Sequence, residues 1–388
     1  MTDTSGPGWG PLEGLRVLDF STLLPGPIAT LILSEAGATV VKVERPGAGD
    51  EMRTFFSHGL DPVIAHFALH NRGKTSVGID LKSRGALRLL RPLLQTADVL
   101  VEQFRPGVMQ RLGLGYEDLS AYNPGLVYCS ITGYGQDGER AGEAGHDLDY
   151  VADSGMLQLT QDSTKPVLPP ALVADIGGGA YPAVMNILLA LEQRRSTGRG
   201  VHLDVAMADN VFPFMSWALG QIQMGIPPRP RAELLTGGSP RYQLYRTRDA
   251  RVVAAAPLEQ KFWERFCESI ELDPALRDDS RDPALTTAGA AARIAAHDAE
   301  HWRSALSAAD CCCTVVATVG EAMTNPRYAA RGLFTRRVTG SDTSWIALPV
   351  PLAPVLRHSP AELPFPERME SVAEDTELSW PKRAPRPR

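Results

Sequence analysis

The chain has 388 residues, of which 44% are hydrophobic and 22% charged, and its formal net charge is −6. That length exceeds a single compact core and predicts two subdomains, while the acidic balance argues against nucleic acid as a partner. No apolar run reads as a membrane span, and Met1 to Gly14 lacks a basic stretch leading into an apolar one, so no secretory signal, no membrane partner and a cytoplasmic location are expected.

Leu15 to Phe20 is a short apolar run that predicts a buried strand. Pro25-Gly26-Pro27 breaks it, and Ile28 to Ala36 continues with helical spacing and Gly37 as a C-terminal cap. Thr39 to Glu44, rich in β-branched residues, predicts the next strand and completes a βαβ unit. Arg84 to Ala97 predicts a helix that Pro92 kinks or shortens. Asp98 to Phe104 and Leu126 to Thr132 predict strands, Ala180 to Arg195 a long helix, and Val201 to Ala206 a further strand. This alternation implies an α/β fold, a Rossmann-like, mostly parallel sheet covered on both faces. Ile226 to Arg231 reads as an exposed linker. From about Arg241 to Leu333 the pattern changes to two short strands and Ala-rich helices, such as one over Ala288 to Ala309, which predicts a smaller α+β domain. The Pro-rich tail from Leu348 is expected to wrap the surface, with Pro381 to Arg388 disordered.

Two segments stand out chemically. Ala144-Gly145-His146-Asp147 offers an imidazole in a loop, and Ala174-Asp175-Ile176-Gly177-Gly178-Gly179 puts a carboxylate before a glycine run that opens a helix. Two bases facing each other across a carbon acid can remove a proton from one face and return it to the other. The glycine run could leave main-chain N–H groups bare for a developing oxyanion. Plainer roles stay open: Asp175 as a helix N-cap, His146 as a hydrogen-bonded core histidine. Glu259 opens a helix of the smaller domain, where a Glu commonly complements the helix dipole.

Basic residues recur near strand ends: Arg45 with Lys42 nearby, the turn Asn71-Arg72-Gly73-Lys74, and Phe104-Arg105-Pro106-Gly107 followed by Arg111. Ligands of parallel α/β sheets bind outside the carboxyl ends of the strands, so such clusters suit a ligand with several phosphates. Each alone reads as a surface loop. Glu44 occupies the place of a ribose-binding acid, but the G-x-G-x-x-G spacing is missing. His66 and His70 are spaced for one helix face without a third ligand, so no metal is expected. The five cysteines form no C-x-x-C pattern and read as small buried side chains with one exposed thiol allowed. No G-x-S-x-G elbow occurs.

Taken in order, Gly14 to Phe20, Gly37 to Pro46, Asn71 to Lys74, Asp98 to Glu102 with Arg105 to Val108, Ser130 to Gly135 and Ala174 to Gly177 resemble the family III CoA-transferases of the CaiB/BaiF type, from Gly14 to about Ala353. The resemblance implies an acyl-CoA thioester as ligand, with coenzyme A part of the substrate and no separate cofactor. It also implies an interlocked homodimer. The division it suggests is a large CoA-binding domain over 1–225, a small domain over 226–333, and a segment 334–388 returning to the large one. CoA contacts would carry over to Pro25, Arg45, Asn71, Arg72, Phe104, Arg105 and Arg111.

Within the family, transferases use the aspartate matching Asp175 as a nucleophile that forms a mixed anhydride. In the α-methylacyl-CoA racemases it is one of two general bases; His146 matches the other, and Glu259 the residue that orients the imidazole. Gly145-His146-Asp147 is characteristic of the racemase branch, where transferases usually carry an aromatic residue in place of the His. Leu24 stands where formyl-type transferases have Gln, and Ala250-Arg251 replace the family's glycine-aromatic pair. The resemblance thus implies racemisation of 2-methylacyl-CoA thioesters through an enolate, with CoA transfer between acids as the alternative. Racemisation by such a pair needs the Asp175 pKa raised toward that of the His.

Overall fold

The structure is a computed structural model that describes residues 10–54, 64–161, 166–340, 343–357, 360–367, 371–373 and 376–381. The expected disorder at Pro381 to Arg388 falls outside these apart from Pro381. The chain forms two compact units: Met1–Ser154, Ala171–Pro213 and Pro326–Arg388 make the first, Gly155–Pro170 and Phe214–Asn325 the second. The expected boundaries at 225/226 and 333/334 therefore move toward the N-terminus, and the stretch Gly155–Pro170 joins the second unit.

The first unit is built on a six-stranded sheet: β1 (Arg16–Asp19), β2 (Thr39–Glu44), β3 (Thr75–Gly78), β4 (Val99–Glu102), β5 (Val127–Thr132) and β6 (His202–Ala206). The order is β3-β2-β1-β4-β5-β6, with every pair parallel. Burial on both faces explains why β2, β4 and β5 read as near-continuous runs rather than alternating ones. The strand order reverses direction between β1 and β4, and the loops leaving their C-terminal ends, Phe20–Leu24 and Gln103–Pro106, border a crevice there.

Lys42 is the exception in β2. It is fully buried, and the register sets it beside Asp19 of β1. Its Nζ donates to the Ser21 carbonyl at 2.6 Å and pairs with Asp50 at 2.9 Å. Lys74 donates to Asp19 at 3.0 Å, to the Pro27 carbonyl and to Asn71 Oδ1. Burial disfavours the Asp19 charge, but Lys42 and Lys74 outweigh it and hold the carboxyl well below the usual range. Asp50 accepts the N–H of Leu23, a non-glycine residue at φ 61°. These buried charges thus brace the loop after β1 from below.

The segment Val173–Thr197 is long and apolar enough, at mean hydropathy 1.3, to cross a bilayer by length and composition. This corrects the expectation that no such run exists. Its α-helical part, Tyr181–Thr197, lies against β5, β6 and the helix Pro25–Glu35, as a sheet-covering helix does. The returning segment does more than wrap the surface. It contributes β10 (Arg337–Thr339), β11 (Ser344–Ile346) and β12 (Glu362–Pro364) as a three-stranded sheet, and Leu378 and Trp380 pack into the main hydrophobic core.

The second unit holds β7 (Gln243–Arg246), β8 (Val252–Ala255) and β9 (Cys313–Val315) in a small sheet. Its core gathers Tyr245, Trp263, Phe266 and Trp302. The single helix expected over Ala288 to Ala309 is two, Pro283–Ala295 and Ala299–Ala309, because Asp298 caps the second by accepting the His301 N–H. In the hairpin between β7 and β8, Ala250 takes the left-handed φ of 63° that a glycine would adopt without strain, and Arg251 pairs with Glu321. The hairpin forms despite the departure from the family's glycine-aromatic pair.

Candidate active site

His146 is the N-cap of the helix Asp147–Asp153, where the chain turns from extended to helical. Its N–H donates to Asp149 Oδ2 at 2.9 Å, which closes the first turn. The preceding Gly145 is a requirement of packing: a Cβ there would lie 2.7 Å from the Tyr150 ring. The Tyr150 phenol in turn donates to the Gly145 carbonyl at 2.7 Å. The His146 side chain is exposed, so the core-histidine role does not hold.

Asp175 is not an N-cap. It sits within a π-helical turn, Val173–Ala180, that runs straight into the helix Tyr181–Thr197. The glycine run belongs to that turn. A Cβ on Gly178 would lie 2.4 Å from the Met207 carbonyl oxygen, so the glycine permits close backbone approach. Gly178 and Gly179 are buried, and the Asp175 N–H donates to Asp147 Oδ1 at 2.9 Å. Gly178 and Gly179, being buried, therefore do not offer the bare oxyanion donors expected of the glycine run. Burial, with the charge of Asp147 adding to it and His146 opposing, pushes the Asp175 carboxyl up to about 6. A carboxyl at that level can both give and take a proton near neutral pH.

His146 and Asp175 line one cavity of about 510 Å³, together with Leu23, Pro25, Gln103, Arg105, Tyr150 and Met207. A second cavity of about 510 Å³ is lined by Arg45, Asp80, Lys82, Val108 and Arg111. Thr22 and Phe104 border both, so the two open onto one crevice at the β1/β4 switch point. Arg45, Lys82 and Arg111 are exposed cations around the second cavity, which Glu44, Asp50, Glu51 and Asp80 also line.

Among the expected CoA contacts, Pro25 and Arg105 thus line the first cavity, Arg45 and Arg111 the second, and Phe104 both. Asn71 and Arg72 require correction. Both are buried, and neither lines either cavity. The Arg72 guanidinium pairs with Glu35 at 2.8 Å and donates to the Leu69 and Leu348 carbonyls. Asn71 donates to the Phe67 carbonyl and accepts from Lys74. The basic turn at 71–74 and Lys42 are scaffold, because their donors are consumed by buried acceptors. Glu259 belongs to the second unit, where it is the exposed N-cap of the helix Gln260–Ser269.

Sequence reasoning missed Lys82, which follows β3 as Arg45 follows β2. Its signal was hidden because β3 is only four residues long and was not recognised as a strand. It named Asp147 without giving it a role, and missed Tyr150 and Gln103, whose Oε1 accepts the Gly26 N–H and ties the β4 loop to the start of the helix Pro25–Glu35. Among the described residues no group of three or more His, Cys, Asp or Glu is placed to hold a metal.

The chain matches the family model for CoA-transferase family III over residues 12–366. It is 33% identical over 371 residues to the alpha-methylacyl-CoA racemase of Mus musculus, covering 94% of this chain and 91% of that one. It is 35% identical over 272 residues to the succinyl-CoA:glutarate CoA-transferase of Homo sapiens, covering 70% and 61%. Among solved structures, a CAIB/BAIF family protein from Brucella suis superposes with a TM-score of 0.74 at 26% identity, covering 97% of this chain and 96% of that one. A model matched over most of the chain, together with a switch-point crevice in the sheet, places this protein in CoA-transferase family III.

Proposed function

We propose that the chain is an α-methylacyl-CoA racemase, interconverting (2R)- and (2S)-2-methylacyl-CoA thioesters by two-base proton transfer through an enolate. The observation that carries this reading is an imidazole and a carboxyl raised to about 6 lining one cavity. That cavity shares Thr22 and Phe104 with a second one, where the exposed cations Arg45, Lys82 and Arg111 would meet CoA phosphates. Family membership supports an acyl-CoA thioester as substrate.

The thioester carbonyl makes the α-hydrogen acidic enough for a positioned base to remove. In one direction neutral His146 takes that proton, and protonated Asp175 delivers another to the opposite face. In the reverse direction the roles exchange, so the pair must hold one proton between them in either direction. A carboxyl at its ordinary pKa would be almost wholly ionised at neutral pH, which would starve the step that needs the acid. Raising it toward the imidazole range keeps both arrangements populated.

To Glu259 we assign, on the resemblance alone, the orientation of the imidazole. A homodimer is the assembly we propose, and the exposed apolar residues Met185 and Leu189 on the helix Tyr181–Thr197 support it. CoA transfer is the competing chemistry, and it would leave an acyl group on Asp175. Incubation with acyl-CoA and hydroxylamine, followed by mass spectrometry of the Asp175 peptide, is expected to show no hydroxamate, and a free carboxylic acid is expected to receive no CoA. A hydroxamate on Asp175 with efficient transfer would establish the transferase instead.

A further inference from the structure

Asp147 has no role in the two-base scheme, yet it follows one base in the chain and bonds the main chain of the other. It directly follows His146 as the first residue of the helix Asp147–Asp153. An acidic residue in a helix's first turn is ordinarily a solvated partner of the helix dipole. Here it is buried, at 6% exposure, and its Oδ1 accepts the N–H of Asp175 at 2.9 Å. That hydrogen bond joins positions 28 residues apart in sequence. The π-helical turn has few internal partners for its first N–H groups, so this acceptor also helps to define where the turn begins.

We propose that Asp147 is the positioning residue of the site: its buried carboxylate locks the π-helical turn bearing one base to the helix end bearing the other. The proposal rests on the two-base reading of His146 and Asp175. A main-chain anchor of this kind fixes the Cα of Asp175, and the spacing of two bases across a small carbon acid tolerates little error. Asp147 acts on charge as well as position. Burial is the first cause of the raised Asp175 pKa, and the Asp147 carboxylate is the second. Burial raises Asp147 itself, while the N–H groups of Asp175 and Ala174 pull it back.

The other titratable groups on the elements packed around the turn are few. Asp149 and Tyr150 lie on the His146 helix, Asp153 there is committed to Arg140, and Tyr181 begins the next helix. Glu192, Arg194 and Arg195 lie toward that helix's far end; His202 and Asp204 are on β6; and Glu35, on the helix Pro25–Glu35, is paired with Arg72. Of all these, Asp147 and His146 are the charges that move Asp175.

The test compares Asp147→Asn with Asp147→Ala, using one enantiomer of a 2-methylacyl-CoA. Asparagine keeps an acceptor oxygen and removes the charge; alanine removes both. Asp147→Ala is expected to lower kcat by about 10²-fold with KM near wild type, as expected for a misplaced base. Asp147→Asn is expected to keep kcat within about tenfold at neutral pH, and to move the acidic limb of the kcat/KM profile to lower pH. The direction follows from losing a negative charge that favours protonation of Asp175. Should Asp147→Ala fail to fold, the Asp147→Asn profile decides alone. An unmoved acidic limb in Asp147→Asn, or wild-type kcat in Asp147→Ala, would overturn the proposal. Wild-type racemisation is measured first: if it is absent and CoA transfer is found, the two-base reading fails. The same acidic-limb shift is then sought in the transfer reaction, where an ionised Asp175 is also required.

Discussion

Replacing His146 by alanine should slow racemisation of a 2-methylacyl-CoA by about 10²–10⁴-fold, the usual contribution of a general base. CoA affinity should stay near wild type, because the cations that face the second cavity, Arg45, Lys82 and Arg111, are untouched. Removing Asp175 would abolish either chemistry, so His146 is the discriminating position. A transferase acylates its aspartate without a base at residue 146, whereas the racemase loses one of two proton carriers. The variant should also exchange the α-hydrogen of one enantiomer more readily than that of the other, since the face served by Asp175 keeps its base. Calorimetry with CoA and a polarimetric rate check the two halves of the expectation. Full activity in the variant would exclude His146 as a base.

The largest effect on stability is expected from Lys74→Met. Lys74 is buried, and its ammonium serves Asp19, Asn71 and the Pro27 carbonyl at once. Methionine nearly matches its length but leaves Asp19 with only the Ser21 and Thr30 hydroxyls, the Ser21 N–H and the neighbouring charge of Lys42. Breaking one partner out of a buried ion pair typically costs about 3–5 kcal/mol. The pH dependence has a definite sign. In the native chain the depressed Asp19 pKa contributes stability above the ordinary carboxylate range, and that contribution is lost as pH falls. The variant's deficit should therefore narrow below about pH 4. Adding Asp19→Asn should recover part of the loss by removing the uncompensated charge. Urea unfolding midpoints measure each step, and a loss under about 1 kcal/mol for Lys74→Met would contradict the buried network.

Where the hydrophobic pattern was continuous, the fold was legible. β2 spans Thr39–Glu44 as its β-branched run indicates, and β5 and β6 differ from expectation by one residue at the start. β3 escaped because Thr75–Gly78 is short and ends in glycine, and with it went Lys82. The basic turn at 71–74 was misassigned for a physical reason. Sequence shows a cluster of donors but not the acceptors folding brings to them: Glu35, Asp19 and the carbonyl oxygens of Leu69, Leu348 and Pro27 lie far along the chain or on its backbone. The glycine run misled in the same way. Gly178 serves contact with the Met207 backbone and Gly179 with the Met207 side chain, a partner invisible until β6 and its following loop are placed. His146 and Asp175 were found because their chemistry is carried by residue type, and both line one cavity.

The central claim is that His146 and Asp175 exchange protons with opposite faces of one carbon. Proton NMR of a single enantiomer of 2-methylacyl-CoA in deuterated buffer, with no acceptor acid present, tests it most directly. The two-base account predicts loss of the α-hydrogen signal together with inversion toward the racemate, the thioester staying intact. Retention of both the α-hydrogen and the starting configuration, with CoA passing to an added carboxylate, would contradict it.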